Sequence, residues 1–533
     1  MGVTPYVGGV WLEHHGSFRI RPELLLGGDL GVGTSGVPEP LAAATGDDSD
    51  ASTLSWASMR IRYEPILHIG RNLTVHLGID ALDNLVLGST HEATSDPVAI
   101  DLTNDAAASP SAGRNGWRDA LRVRSLYGRW FAFDFFDLRV GRMPDPFGIG
   151  VSRNDGECPD CDYGTIVDAM RVGFELSGFR VEGSWEFTAV GATTAQLTDV
   201  GDQGQDKDLG QSDDVQGFTI TIGRRPVTDA QLEERRVALD EKREWVFDWS
   251  VFSSFTDQQL SSLEPIADTS VSCSPSQVLA NGQPVTRYEC MQLYRRGAFF
   301  WRPGLWFHLE RHPTFDESLR LDIELQGLVG NVTHPQRLEE ADSQEAKDFL
   351  GFGGAVELEY QSDAWHLGFD GGFATGDDGD YVGVLDGQNI VEPDDDAYAQ
   401  NDNVRDNRKV TSFFFNRDYR VDLILFRQVL GTITNTVYFK PWIARDLLRM
   451  DGGTLTARLD VLYAMAAVPE GTPGDGRSWG VEVDGRLGLK LDMGLETTLA
   501  AGVLIPLDAL DNADTGKSPD PAFTVQILGT MKF

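Results

Sequence analysis

The fold class this sequence predicts is all-β: a transmembrane antiparallel barrel of about eighteen strands, with sixteen and twenty as neighbouring counts. Three observations carry that prediction. Apolar and polar residues alternate in run after run along the 533 residues, each run roughly ten residues or slightly more, the length needed to cross a bilayer at a tilt. The connections between runs sort by parity: mostly a few residues after even-numbered runs, long and polar after odd-numbered ones. A barrel that spans a membrane has that asymmetry, and a soluble sandwich does not. Finally, there is no apolar stretch of ~18 residues, so no membrane-spanning helix is predicted. Mean hydropathy is −0.24, which a barrel tolerates because each strand shows only half its side chains to lipid.

Each element follows from the same alternation, since successive strand side chains point to opposite faces. Strand 1, near 10–21, sets Phe18 and Ile20 outward and Arg19 and Arg21 inward. Strand 2 (55–69) sets Met59, Ile61, Tyr63, Leu67 and Ile69 outward and Arg60, Arg62 and Glu64 inward. The turn Gly70–Asn72 leads into strand 3, with Leu73, Val75, Leu77, Ile79 and Ala81 outward. After a polar stretch at 83–118, strands 4 (119–132) and 5 (136–143) flank the aromatic turn FDFFD. Strands 6 (168–177) and 7 (179–190) meet at Ser177–Gly178. Strands 8 to 13 fall near 217–223, 244–256, 297–310, 318–330, 349–361 and 364–374, and strands 14 to 18 near 433–447, 453–466, 478–491, 494–506 and 521–533.

Two connections read as helical. On the short-turn side, 224–243 has helical composition and a Thr228–Asp229 start suited to capping. On the long-loop side, 419–431 carries Val421, Leu423, Ile424, Leu425 and Leu430; it reads as a loop helix at the pore mouth, or as another strand pair. The whole of 1–533 reads as one barrel domain.

The last strand is FTVQILGTMKF, 523–533, with Phe533, Met531, Ile527 and Val525 on its apolar face. This resembles the closing strand of bacterial outer-membrane barrels. The resemblance implies the barrel-assembly machinery as a partner, lipid and lipopolysaccharide as surroundings, and an export signal removed ahead of the sequence, with Met1 a start-site artefact. Interfacial girdles are expected at Trp56, Tyr63, Trp185, Trp301, Trp365, Phe439, Trp479 and Phe533, because aromatics favour the membrane–water boundary.

Net charge is −37, which excludes nucleic acid as a partner, since phosphate binding needs a basic surface. The acid concentrates at 46–50, 199–214, 376–381 and 392–403. Such clusters suit Ca²⁺ but lack EF-hand spacing and read first as solvated loops; no other cofactor is expected. Cys158, Cys161, Cys273 and Cys290 fall in two long loops. They read as the local disulfides Cys158–Cys161 and Cys273–Cys290, with metal or redox chemistry as the lesser alternatives for the CxxC.

Charges on the inward faces are the candidate functional residues. Arg19, Arg21, Arg60, Arg62, Arg122, Arg124, Arg171 and Arg180 form a basic wall. Glu324, Glu357, Glu359, Asp460 and Asp484, joined by Asp248, Asp322, Asp370 and Glu482, form an acidic one with fewer bases, Arg302, Arg320, Arg458 and Arg486. Facing walls of opposite sign set up a transverse field that sorts small polar solutes; mutually neutralising salt bridges are the competing reading. An anion preference would fit the arginines.

The stretch VGRMPDPFGIG, 140–150, resembles the strand-and-loop segment of phosphate-selective and carbohydrate-selective porins, where a following loop folds into the lumen. With DALDNLVLGS (80–89), NDGECPDCDYG (154–164) and YRVDLILFRQVLGTIT (419–434), the chain resembles an uncharacterised outer-membrane barrel family of myxobacterial type. That resemblance implies location and fold, and no substrate. Nine histidines are present, with no GxSxG and no HExxH, so catalysis at the rim is the weakest reading. The expected function is passive diffusion of small hydrophilic solutes or ions; the alternative is a plugged barrel that anchors an envelope or surface complex.

Overall fold

A computed structural model describes residues 9–32, 53–86, 121–176, 178–189, 214–226, 229–262, 276–280, 283–287, 293–334, 346–377, 409–513 and 516–533. Among the described residues eighteen long strands close into one antiparallel barrel. They are β1 (Gly16–Leu26), β2 (Thr53–Tyr63), β3 (Leu73–Val86), β4 (Leu121–Ala132), β5 (Phe136–Pro144), β6 (Ile166–Leu176), β7 (Phe179–Ala189), β8 (Val215–Arg224), β9 (Val246–Ser262), β10 (Leu293–Arg311), β11 (Glu317–Val332), β12 (Lys347–Ser362), β13 (Trp365–Ala374), β14 (Thr436–Met450), β15 (Gly453–Ala466), β16 (Ser478–Leu491), β17 (Leu495–Pro506) and β18 (Ala522–Lys532). Each pairs with its sequence neighbour, and β1 pairs with β18 to close the ring. At the seam Gly16 and Phe533 exchange backbone hydrogen bonds, both 3.0 Å. Closure leaves the barrel without a free sheet edge, which a bilayer demands because lipid offers no hydrogen-bond partner.

The outer face is apolar: Ile20, Val140, Val181, Ile220, Val251, Leu305, Leu358, Leu459 and Val525 are all exposed. The inner face buries arginines and carboxylates. A closed, even-stranded barrel with a greasy exterior and polar interior is a transmembrane barrel of the outer membrane.

β1 and β2 are each broken near the rim that carries the short turns. Short extensions Val10–Glu13 and Ile66–Ile69 pair with each other beyond the breaks. Pro65 lacks an N–H, and Glu64 N–H bonds His15 O across the gap at 2.8 Å. On the same rim, the β8–β9 connection forms the helix α1 (Asp229–Arg236) and then a π-helical turn, Val237–Glu241. Thr228 lies outside the described residues. Arg235 of α1 pairs with lumen-facing Asp248 of β9 and, at 2.7 Å, with Glu310 of β10. The helix therefore lies against the barrel mouth on the short-turn rim.

Two girdle assignments are corrected. Trp56 shares the inward face of β2 with Ser58, Arg60 and Arg62, and packs against the interior cluster. Trp479 is fully buried inside. The β15–β16 register slips between Ala464 and Met465, and this bulge turns Trp479 to the face its position in the alternation would not give it. Its indole N–H donates to Asn435 O at 3.1 Å. Trp185, Trp301, Trp365, Phe439 and Phe533 do face out.

Candidate functional site: two inner loops and a charged seam

Two long connections turn back into the barrel. The first inner loop is 145–165, between β5 and β6; the second is 411–435, between β13 and β14. In the second, Leu425–Val429 makes a single π-helical turn. Phe413, Phe415, Tyr419, Leu425, Phe426, Val429 and Ile433 of this loop pack with wall residues Leu25, Tyr438, Trp479 and Leu504 into the interior apolar cluster.

Three buried carboxylates hold the loop backbones. Glu324 of β11 accepts the amides of Ile149, Gly150 and Val151 at 2.7, 3.0 and 3.3 Å. Glu482 of β16 accepts those of Leu423, Ile424 and Leu425, each at 2.8 Å. Asp418 of the second loop accepts those of Asp162, Tyr163 and Gly164 of the first at 2.7, 2.7 and 2.6 Å. Consecutive amides that point into one concavity present several donors to a single carboxyl group. The first clamp needs Gly148: its φ is +57°, and a Cβ there would collide with the Glu324 carboxylate.

The arginines of β1, β2 and β4 meet the tip of the first loop. Arg19 donates to Cys161 O at 2.7 Å and pairs with Asp162 at 2.8 Å. Arg21 pairs with Glu23, Asp160 and Asp162 at 2.6, 2.9 and 3.0 Å. Arg60 donates to Cys161 O at 3.1 Å. Arg62 grips both oxygens of Asp80, at 2.7 and 2.9 Å, and reaches Gly156 O at 2.9 Å. Arg124 pairs with Glu157. From the second loop, Arg420 and Arg427 close on Asp162 and Asp160. Farther round the wall, Arg171 pairs with Asp145 at 2.7 Å and Arg180 with Asp137 at 2.8 Å. Arg122 is exposed at the end of β4 and lines a cavity of about 460 Å³ with Asp80, Arg124 and Tyr163.

Asp160 and Asp162 are themselves largely buried, which would raise their pKa. The surrounding guanidinium groups, Arg420 and Arg21 for both, outweigh burial and hold the two carboxyls well below the ordinary range.

Glu357 and Glu359 lie 3.7 and 3.6 Å from Arg320, and Tyr419 donates to Glu357 at 3.1 Å. Asp460 gathers Arg458, Arg486 and Lys440 at 2.6, 2.9 and 3.5 Å. Asp484 lies 3.5 Å from Arg486. On this side of the lumen solvent reaches the charges: the Arg320 side chain is 45% exposed, Glu359 32% and Lys490 76%.

The Cys158–Cys161 disulfide is present, with Cα atoms 5.0 Å apart. Its loop leaves β5 on the rim opposite the short turns and enters the lumen, where Cys161 is fully buried. Cys273 and Cys290 lie outside the described residues, as do nearly all the acidic runs on which the calcium expectation rests.

Sequence reasoning missed Asp160, Asp162, Asp418, Arg420, Arg427 and Glu23. For all but Glu23 the signal was charge interleaved with apolar residues in CPDCD and RDYRVDLILFR, a pattern that says buried and charged without saying with whom.

No family model matches the chain, and no curated protein matches it. Solved structures similar in fold include Acinetobacter baumannii OccAB3, at 9% identity and TM-score 0.47, covering 98% of this chain and 100% of that one. Pseudomonas aeruginosa OccK2 (OpdF) in complex with glucuronate gives 10% and 0.44, with 98% of each chain covered. Pseudomonas aeruginosa OprD gives 10% and 0.43, covering 98% and 95%. At these values neither a substrate nor a residue's role passes from those channels to this chain.

Proposed function

We propose that this barrel is a channel for passive diffusion of small hydrophilic solutes or ions, narrowed by its two inner loops. The observation that carries the reading is the wall of β11 to β17: Arg320, Glu357, Glu359, Arg458, Arg486 and Lys490 keep contact with water beside a seam where the loops meet. A solute would move along this charged face, bound weakly enough to leave. Neutral sugar-like solutes fall in the same class, and GRMPDPFGIG, which resembles the segment of carbohydrate-selective porins, supplies the descent of the first loop.

The arginine wall takes a different part in this reading. Its guanidinium groups are engaged by Asp160, Asp162, Glu157, Asp80 and Asp145, so they set loop position before they set selectivity. The bases of the β11 to β17 wall are offset by Asp460, Asp484, Glu496 and Asp322, so Glu357 and Glu359 leave it net negative and favour cations, opposite to the preference the arginines alone suggest. Planar-bilayer recording under a salt gradient tests this: open steps with a cation-signed reversal potential support it, and an anion-signed one overturns the assignment of Glu357 and Glu359.

The plugged-anchor reading draws on a different observation, the apolar packing of the second loop across the interior. It requires a folded barrel that does not conduct. In both readings lipid and lipopolysaccharide surround the barrel, and the assembly machinery reads the outward Phe533, Met531, Ile527 and Val525 of β18. Neither reading uses a cofactor or a catalytic residue.

A further inference from the structure

The periplasmic rim between β9 and β14 carries guanidinium groups on the lipid side, where the barrel surface is otherwise apolar. Arg311 ends β10 on the outward face, in step with exposed Leu305, and its guanidinium lies over exposed Trp245, 5.3 Å from the ring centroid. Arg243, in the facing turn, lies 5.4 Å over Phe315, which is 92% exposed. Their hydrogen bonds go to backbone carbonyls: Arg311 to Arg243 O at 3.1 Å and Arg243 to Thr314 O at 3.0 Å. Nearby acids are engaged elsewhere, Asp240 by His312 and Glu310 by Arg235. Lys242, Arg243 and Arg311 share these turns with Glu244, Asp316 and Glu317, but the hydrogen bonds of Arg243 and Arg311 stay with the carbonyls and leave the guanidinium charge uncompensated by a direct ion pair among the described residues.

The arrangement repeats four strands on. Arg445 of β14 is the cross-strand partner of Trp365 of β13, both exposed on the outer face, with the guanidinium 4.8 Å from the ring. Trp365 follows the short turn after β12, so this pair sits on the same rim. An Arg stem lying on an aromatic ring keeps its apolar length in the membrane and its head at the phosphate level. The planar fork matches a phosphate oxygen pair.

From this placement we infer that Arg243 with Arg311, and Arg445 four strands away, each bind the phosphate of an anionic phospholipid in the periplasmic leaflet. The aromatic rings seat the acyl-proximal part of the headgroup and the guanidinium groups take its charge. Both sites are independent of whether the lumen conducts.

The test uses the full-length refolded protein in phosphatidylethanolamine vesicles, with tryptophan fluorescence quenched by either brominated phosphatidylglycerol or brominated phosphatidylcholine. Wild type is expected to prefer the anionic lipid, and the preference to weaken as salt is raised. In R243Q/R311Q/R445Q it is expected to fall roughly three- to fivefold per guanidinium removed, with the folded barrel's electrophoretic mobility unchanged. Equal quenching by both lipids in wild type overturns the two sites, and so does a preference that survives the triple variant or ignores salt. Should the variant not fold, the salt titration on wild type decides alone. Displacement of the brominated lipid by inorganic phosphate would instead point to a free-anion site and overturn the lipid assignment.

Discussion

Asp418 accepts the amide of Gly164 at 2.6 Å, and with it the two inner loops become one structure. The two residues belong to connections on opposite sides of the barrel, 254 positions apart in sequence. The Asp418 side chain is fully buried, and its three amide bonds leave the seam little freedom to open.

Replacing that carboxylate should free the seam. D418A leaves three amides without their acceptor, at a cost of about 1–3 kcal/mol each if they stay buried. The loops are expected to part instead, giving larger and noisier current steps from a barrel that still migrates as folded. Single-channel recording of D418A beside wild type checks this; unchanged step size would remove Asp418 from the constriction.

Acid should do reversibly what that substitution does permanently. Asp160 and Asp162 have folded-state pKa values depressed below their ordinary 3.8. A depressed carboxylate contributes its stabilisation fully above the ordinary value and loses it as pH falls toward the folded one. The ion pairs at the loop tip should therefore weaken, and conductance rise and fluctuate, as pH falls below about 4. Conductance that stays unchanged as pH falls from about 5 to 3 would contradict this assignment.

Arg62 and Glu359 should separate loop position from selectivity. R62Q strands buried Asp80, a loss of about 3–5 kcal/mol when one partner of a buried pair is removed. It is expected to lower thermal stability and loosen the first loop. E357Q/E359Q touches accessible charges and should leave stability within about 1 kcal/mol while moving the reversal potential toward zero. Thermal unfolding and salt-gradient recording of both variants check the split.

The CxxC staple shapes the loop tip that meets Arg19 and Arg60. Reducing Cys158–Cys161, or making C158S/C161S, should release Cys161 O from those guanidinium groups and raise current noise without unfolding the barrel. Identical traces before and after reduction would mean that the flanking aspartates hold the tip without it.

The strands were legible because lipid imposes a strict period-two pattern on the outer face. The terminal run from Phe523 to Phe533 and the strands on either side of the turn at Gly70 follow from it. Inward arginines such as Arg19, Arg60 and Arg171 were legible for the same reason. What they touch was not: their partners sit in loops whose path depends on three-dimensional packing. Arg427, Asp160 and Glu23 meet only because two connections cross the lumen. Trp479 defeated the alternation because a bulge moves its side chain by one position, and Trp56 because an aromatic side chain suits the girdle and the interior packing equally well.

The measurement that bears most directly on the account is single-channel conductance of the refolded full-length chain in a planar bilayer under a salt gradient. Stable open steps with a cation-signed reversal potential are predicted. A correctly folded barrel that stays silent would contradict the channel reading and leave the anchor, with the outer loops and α1 as its surfaces for a partner.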